Sequence, residues 1–425
     1  MQPRPGAGRR AEPGGGPCGK TVGVRPSARR WLVVASLFVV TYGISTPLAA
    51  YGVFLPVLVE TFGWSRGAIA TALSINLLLG GLAGWVIGML ADRHGPRVML
   101  VVTVALAGTA FALVATVGAL WQLYLFVGVL GGVGMSSFYL LAAATVSHWF
   151  DERRGLALAL VLVGFNLGYI TAGPLAAWLI DGLGWRPAYA VLGAGCGLIT
   201  LLAALTVRAP RPEEVPHLRR PIAVGAAVAD EVAPGLTMRQ ALRDARQWYL
   251  NASWFLMGGL ALMLSVHLVP FAHDRGVSLA AAAVSLTAYG VGAVTGRLTS
   301  GLVSDRVGAH TTISLGYALQ VLALAALLWM PTHESLLVSL AFLGLGFAAT
   351  DTMITKVIPD VFGLRALGAI MGVLALGWRT GAAVGPAAAG FLYDATGSYV
   401  IPFGAAPLAV LASWGFFTLA TRRRG

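Results

Sequence analysis

Cut at its polar residues, the sequence falls into twelve apolar runs at about 31–59, 67–91, 98–119, 121–148, 155–181, 187–207, 248–272, 279–304, 310–331, 335–358, 366–393 and 398–420. A membrane span takes roughly 20 predominantly apolar residues, and every run meets that length. Only 11% of the 425 residues are charged, against about 25% in a soluble domain, so too little polar material exists to clothe a soluble core. Barrel strands would alternate over about ten residues, and these runs do not. The first run is too long for a signal-peptide core and no small-residue cleavage pattern follows it, so it reads as the first membrane helix. Residues 1–30, rich in Pro, Gly and Arg without apolar period, are expected to form a disordered tail.

The runs divide into two sets of six. Gly63-Trp64-Ser65 returns as Gly276-Val277-Ser278, Gly88-x-x-x-Asp92-Arg93-x-Gly95 as Gly301-x-x-x-Asp305-Arg306-x-Gly308, and Asp181-x-x-Gly184 as Asp394-x-x-Gly397, each time at the spacing that separates Gly63 from Gly276. A constant register points to an internal repeat. The expected fold is therefore an all-α integral membrane protein, twelve transmembrane helices in two pseudo-symmetric six-helix bundles. Its expected parts are a tail (1–30), an N-terminal bundle (31–207), a cytoplasmic linker (208–247), a C-terminal bundle (248–421) and a short cytoplasmic tail (422–425). Parallel half-repeats place a substrate site between the halves, near the bilayer midplane. In the linker, Thr237-Met238-Arg239-Gln240 is a capping-box signal. Beyond it Met238, Leu242, Ala245 and Tyr249 share one helical face and Arg239, Arg243 and Arg246 the other. That pattern suits a short interfacial helix on an anionic leaflet; a solvated basic linker is the alternative.

The net charge is +12 and the pI about 10.3, which in a soluble protein would suggest nucleic acid. Placement removes that reading. With the N-terminus inside, 24 of the 29 Lys and Arg residues fall on the inner side, three (Arg66, Arg186 and Arg275) fall outside, and Arg297 and Arg379 lie within helices. The positive-inside rule then sets both termini in the cytoplasm, and no nucleic-acid partner is expected. The scarcity of lysine, only Lys20 and Lys356, hints at a GC-rich bacterial genome and so at the bacterial cytoplasmic membrane. Cys18 and Cys196 lack the spacing of a disulfide framework or metal site.

The paired Gly88-x-x-x-Asp92-Arg93-x-Gly95-Pro96-Arg97 and Gly301-x-x-x-Asp305-Arg306-x-Gly308 segments, each between the second and third helix of a half, resemble the signature loop of the major facilitator superfamily. Tyr51-Gly52-Val53-Phe54, Phe62-Gly63-Trp64-Ser65-Arg66 and Trp149-Phe150-Asp151-Glu152-Arg153-Arg154-Gly155-Leu156-Ala157 resemble its monocarboxylate porter and oxalate:formate antiporter branch. The resemblance implies a secondary transporter working by alternating access, with the signature-loop residues, Asp92 and Arg93 foremost, as a conformational latch. A carboxylate and an Arg beside a helix end can indeed pair with a neighbouring helix in one state and release it in another; a turn motif that only sets topology is the alternative.

Arg297 and Arg379 are the residues whose position most needs explaining. An Arg deep in a span costs about 3 kcal/mol on insertion scales and usually marks a water-filled pathway or a counter-ion; two of them suit a carboxylate. The resemblance implies the same, since basic residues on helices 8 and 11 bind substrate carboxylates in that branch. Structural pairing with Asp351 or with helix-end carbonyls is the alternative. Asp351 is either a proton-carrying carboxyl or a fixed partner of an Arg or of Lys356. The animal lactate carriers of the branch have an aspartate four residues before the helix-8 arginine and a lysine on helix 1. Here Ala293 and Ala49 stand there, so that proton-coupling arrangement is not carried over. Asn166 precedes Arg379 by the repeat spacing and is its N-half counterpart, suited to a cavity role or to interhelical hydrogen bonding. Tyr51, Tyr139 and Tyr289 can donate to a carboxylate or serve as packing. His267 and His273 are expected at the outer interface and His148 at the inner one.

Gly290-Val291-Gly292 and Gly131-Gly132-Val133-Gly134 lie inside apolar runs with no preceding strand, which makes them packing glycines rather than phosphate loops. No nucleotide-binding, metal-binding or nucleophile–base constellation is present, so no enzyme activity and no cofactor is expected. The expected function is secondary transport of small organic anions, mono- or dicarboxylates, by a monomer in contact with membrane lipid. Proton coupling and anion exchange are both open; export of drugs or other amphiphilic metabolites is the alternative.

Overall fold

The computed structural model describes residues 29–136, 141–142, 145–146, 149–150, 154–208, 235–329, 333–363 and 365–422. The expectations for Tyr139, His148, the Asp92 side chain, the tail through residue 28 and linker residues 209–234 lie outside the described residues.

The N-terminal half holds α1 (Arg29–Phe62), α2 (Arg66–His94), α3 (Pro96–Thr116), α4 (Leu120–Met135, helical again at 141–149 where described), α5 (Arg154–Leu183) and α6 (Trp185–Thr206). The C-terminal half holds α7 (Ala245–His273), α8 (Leu279–Val307), α9 (Ala309–Trp329), α10 (His333–Phe362), α11 (Leu367–Thr396) and α12 (Val400–Thr421). Among the described residues ten of these are long and apolar enough to cross a membrane. The other two are α4, described continuously only to Met135, and the 30-residue α11, which carries Arg379 midway. Helices satisfy every backbone group within the segment, which a lipid solvent demands.

The repeat is visible in the helix ends. Gly95 and Gly308 close α2 and α8 at φ 87° and 84°, and their N–H groups bond the Ala91 and Ser304 carbonyls at 2.8 and 2.9 Å. That conformation favours glycine, which accounts for both signature-loop glycines. Ser65 and Ser278 each accept a bond from the third residue of the next helix, Ala68 and Ala281, at 3.2 and 3.3 Å.

The described end of the linker departs from the expected register. A six-residue helix, Met238–Arg243, opens with the Thr237–Gln240 capping box. It stops at Asp244, whose extended backbone (φ −84°, ψ 124°) lets its carboxylate cap α7. One continuous amphipathic face through Tyr249 is thereby broken. The Leu236 N–H donates to the Phe362 carbonyl at 2.8 Å, tying the linker to the α10–α11 turn.

Lipid supplies no hydrophobic drive between helices, so close backbone contact has to hold them. On α7 and α11, a Cβ added at Gly381 would fall on the Phe255 carbonyl and one at Gly385 on the Gly259 carbonyl. The halves meet through α1 with α7, α2 with α11 and α5 with α8. Overpacking costs about 1–3 kcal/mol. Gly381→Ile should therefore lower the thermal unfolding midpoint of purified protein, whereas Gly415→Ala, in open space, should not; equal midpoints would refute the contact.

Candidate functional site

A cavity of about 180 Å³ lies at mid-height between α5, α7, α8, α10 and α11. Its position follows from how α8 and α10 pack. Cβ atoms at Gly292 and Gly296 would fall on the Ala341 and Leu345 carbonyls, and one at Gly344 on the Tyr289 carbonyl. Three glycines thus bring the two backbones together, and Arg297, beside Gly296, faces Asp351 on α10. The ion pair measures 3.3 Å between Nη2 and Oδ2, with side-chain exposures of 38% and 41%. Arg297 Nε is buried and without a hydrogen-bond partner among the described residues.

Of the residues singled out in the sequence, Arg297, Asp351, Tyr289 and Asn166 line this cavity. Arg379 does not: its side chain lies against α2, with Cδ 3.6 Å from where a Gly81 Cβ would stand. Tyr51 is also elsewhere, fully buried in the N-terminal half with its hydroxyl donating to the Ile69 carbonyl at 2.6 Å. The rest of the lining includes Phe165 and Tyr169 of α5, Leu262 and Ser265 of α7, Phe347 of α10 and Trp378 of α11. None of these stood out in the sequence, because a cavity-facing apolar residue looks the same there as a lipid-facing one.

Lys356 belongs to the inner end. Its Nζ lies 3.1 Å from Ser304 Oγ and 3.9 Å from Asp305 Oδ1, so it is not the partner of Asp351. Arg93 and Arg306 are exposed, and Arg97 donates to the Leu205 carbonyl at 2.8 Å.

The opposite end is sealed between the halves. Arg66, on α2, forks onto both Asp274 oxygens at 2.8 Å, and its guanidinium lies 3.9 Å from the Tyr393 ring centre. Asp394, on α11, accepts from the backbone N–H groups of Arg66 at 2.9 Å and Gly67 at 2.8 Å. An acceptor from the other half thus satisfies two donors that the start of α2 leaves free. Deeper along the same seam Ser74 donates to the Ala383 carbonyl, and Gly67 and Gly390 touch backbone to backbone.

His267 was expected at the interface and is instead fully buried behind this seal. Nε2 must carry the proton, since it meets the Pro386 carbonyl at 2.8 Å and a carbonyl only accepts. Nδ1 then accepts from the Tyr399 hydroxyl at 2.8 Å. Burial raises the pKa of Tyr399, which keeps that hydroxyl protonated. Among the described residues, no hydrogen bond or ion pair joins the halves on the inner side of the Gly81–Arg379 contact. The cavity is therefore closed toward Arg66.

The sequence matches the model of the Major Facilitator Superfamily over residues 32–335 and 263–425. The chain belongs to this superfamily. Relatives include monocarboxylate transporter 11 of Mus musculus, 29% identical over 392 residues and covering 88% of this chain and 83% of that one. Another is the MFS-type transporter YhjX of Escherichia coli (strain K12), 28% identical over 318 residues, covering 73% and 76%. Among solved structures, a bacterial homologue of the human lysosomal transporter Spinster, described as inward-facing and unoccupied, superposes with a TM-score of 0.71 at 17% identity over 93% of this chain and 96% of that one; this likeness concerns the fold. This major facilitator protein is thus a multi-pass membrane transporter for a small molecule, and it resembles the monocarboxylate branch.

Removing a helix cap costs about 0.5–2 kcal/mol, which moves a two-state equilibrium roughly 2- to 30-fold. Asp394→Ala should raise the labelling, from the Arg66 side, of a single cysteine placed at Ala293 by that order. Unchanged labelling would show that Asp394 does not hold the seam.

Proposed function

We propose that this transporter carries small organic anions bearing a carboxylate, by alternating access, with Arg297 as the binding cation. The observation that carries this is the Arg297–Asp351 pair at the cavity wall, joined by a single 3.3 Å contact that leaves the remaining Arg297 donors for a ligand. A guanidinium presents five donors in a fork that matches a carboxylate.

The pair also supplies a coupling mechanism. A substrate carboxylate and the Asp351 carboxylate compete for one guanidinium, so protonating Asp351 releases Arg297 to the substrate. Loading a proton with the substrate makes a symporter; exchanging one anion for another leaves the proton out. Asn166 and Tyr289 add hydrogen-bonding groups on the cavity wall. Arg379, at the α2–α11 seam, lies outside the cavity wall, which leaves Arg297 as the substrate cation of this reading.

By the charge distribution, the sealed end is extracellular, both termini are cytoplasmic and the membrane is the bacterial cytoplasmic one. Residues 31–207 and 248–421 then move as two bodies joined by the linker 208–247, as a monomer. The signature loops form the inner latch: Asp305 already sits near Lys356, and Asp92 and Arg93 occupy the equivalent place in the other half.

A second reading, export of amphiphiles, is favoured by one specific feature. The Arg297 charge is balanced by Asp351, and most of the remaining wall is apolar.

Uptake into proteoliposomes separates these readings. A charge-assisted hydrogen bond contributes about 1.5–3 kcal/mol, so Arg297→Ala should reduce carboxylate uptake about 10- to 100-fold; unaffected uptake would remove Arg297 from the site. Transport of only neutral or cationic amphiphiles would favour the second reading. Asp351→Asn should abolish accumulation driven by a pH gradient while sparing exchange, and accumulation that survives would make Asp351 structural.

A further inference from the structure

Resting on the carboxylate reading above, we propose that the preferred substrate is a monocarboxylate with an aromatic body, neither a three-carbon acid nor a dicarboxylate.

Charge decides the number of carboxylates. Among the described residues Arg297 is the one basic side chain on the cavity wall, and Asp351 already takes part of it. Arg379 faces Gly81 of α2 outside that wall. A second carboxylate would therefore find no second cation on a largely apolar wall, and a buried charge without a counter-ion is strongly disfavoured. A single carboxylate can replace Asp351 on Arg297, leaving one anion for one cation.

Size and lining decide the body. An apolar cavity of about 150 Å³ is large enough to bind benzene; this one is about 180 Å³. The Phe165 and Tyr169 rings lie 5.2 Å apart and tilted by 35° on α5, and Tyr289 and Phe347 face the same space from α8 and α10 at 6.4 Å. Trp378 contributes to the wall from α11. Phe165, Phe347 and Trp378 offer apolar ring surface, and the tyrosines add ring faces beside their hydroxyls. A three-carbon acid would leave that surface against water, whereas an aromatic ring covers it and can stack edge-to-face or offset. The class is therefore an aryl-substituted acid such as a 3-aryl-2-oxopropanoate.

The test is competition in proteoliposomes. Phenylpyruvate, pyruvate and succinate compete for uptake of labelled phenylpyruvate, and each is also offered labelled. Phenylpyruvate should be favoured over pyruvate by at least about tenfold, the discrimination that an apolar pocket gives for small changes in fit, and succinate should be weaker still. Phe165→Ala should lower the phenylpyruvate-to-pyruvate ratio severalfold. Phe165→Leu, which keeps most of the volume, provides the same readout in smaller degree if the alanine variant does not fold. Pyruvate or succinate transported as well as or better than phenylpyruvate, with Arg297 still required, overturns the aromatic preference and leaves the carboxylate reading intact. Uptake of none of the three acids, alongside transport of a neutral amphiphile, overturns both. A ratio unchanged in both Phe165 variants overturns the assignment of the aromatic wall.

Discussion

Backbone contact at glycine is the constraint from which the rest of this transporter follows. In lipid two apolar helices gain little by leaving the tails for each other, and close packing has to make the difference. Gly292, Gly296 and Gly344 bring α8 and α10 together, and that approach sets Arg297 across from Asp351 at 3.3 Å. On the other side Gly258 and Gly381 press α7 and α11 together at the Trp378 and Phe255 carbonyls, which places Trp378 on the cavity wall. The C-terminal half therefore builds the ion pair and much of the wall. The N-terminal half closes the cavity with α5 alone among the described residues, through Phe165, Asn166 and Tyr169.

The two halves share a scaffold but not a chemistry. Gly95 and Gly308, or Ser65 and Ser278, do identical work at helix ends. In the repeat register, however, Arg297 and Asp351 correspond to Gly84 and Phe138, and Arg66 corresponds to Leu279. Asp181 and Asp394 are a repeat pair, but the N-terminus that Asp394 holds is led by Arg66 and the equivalent helix by Leu279. The start of α2 is thus locked by the Arg66 ion pair to Asp274 at the end of α7 and by Asp394 of α11, while the pseudo-equivalent α5–α8 seam is joined by the Thr287 hydroxyl on the Ile170 carbonyl at 2.6 Å and by glycine packing.

How far the sequence could be read depended on contrast. Long apolar runs and a constant repeat register are strong against any background, so the twelve-helix fold and the helix caps were legible. Arg297 and Asp351 were legible for the same reason, as charges in apolar surroundings, and Asn166 through its repeat position. Arg379 has the same contrast but faces a seam, because sequence gives depth in a span without the direction of the side chain. Tyr51 is spent on a carbonyl for that same reason. Phe165, Phe347 and Trp378 had no contrast at all: a helix apolar all round has no sequence period that separates cavity from lipid. The lock left a trace, since Arg66 is one of only three basic residues on the side that has few.

Lock and cavity share one turn of α7. Leu264, Ser265 and Leu268 face the cavity, and between them His267 joins Pro386 of α11 and Tyr399. The Ser265 and Val266 carbonyls receive the close approach of Gly52 from α1. A ligand pressing on Leu264 and Leu268 therefore acts on the same turn that the lock leans on from behind. Neither face of that turn can shift alone, because its backbone is helical and its side chains are buried on both. A substrate that fills the apolar wall is thus in mechanical contact with the groups that keep the far end shut, whereas one held by Arg297 alone touches α8 and leaves that turn unloaded.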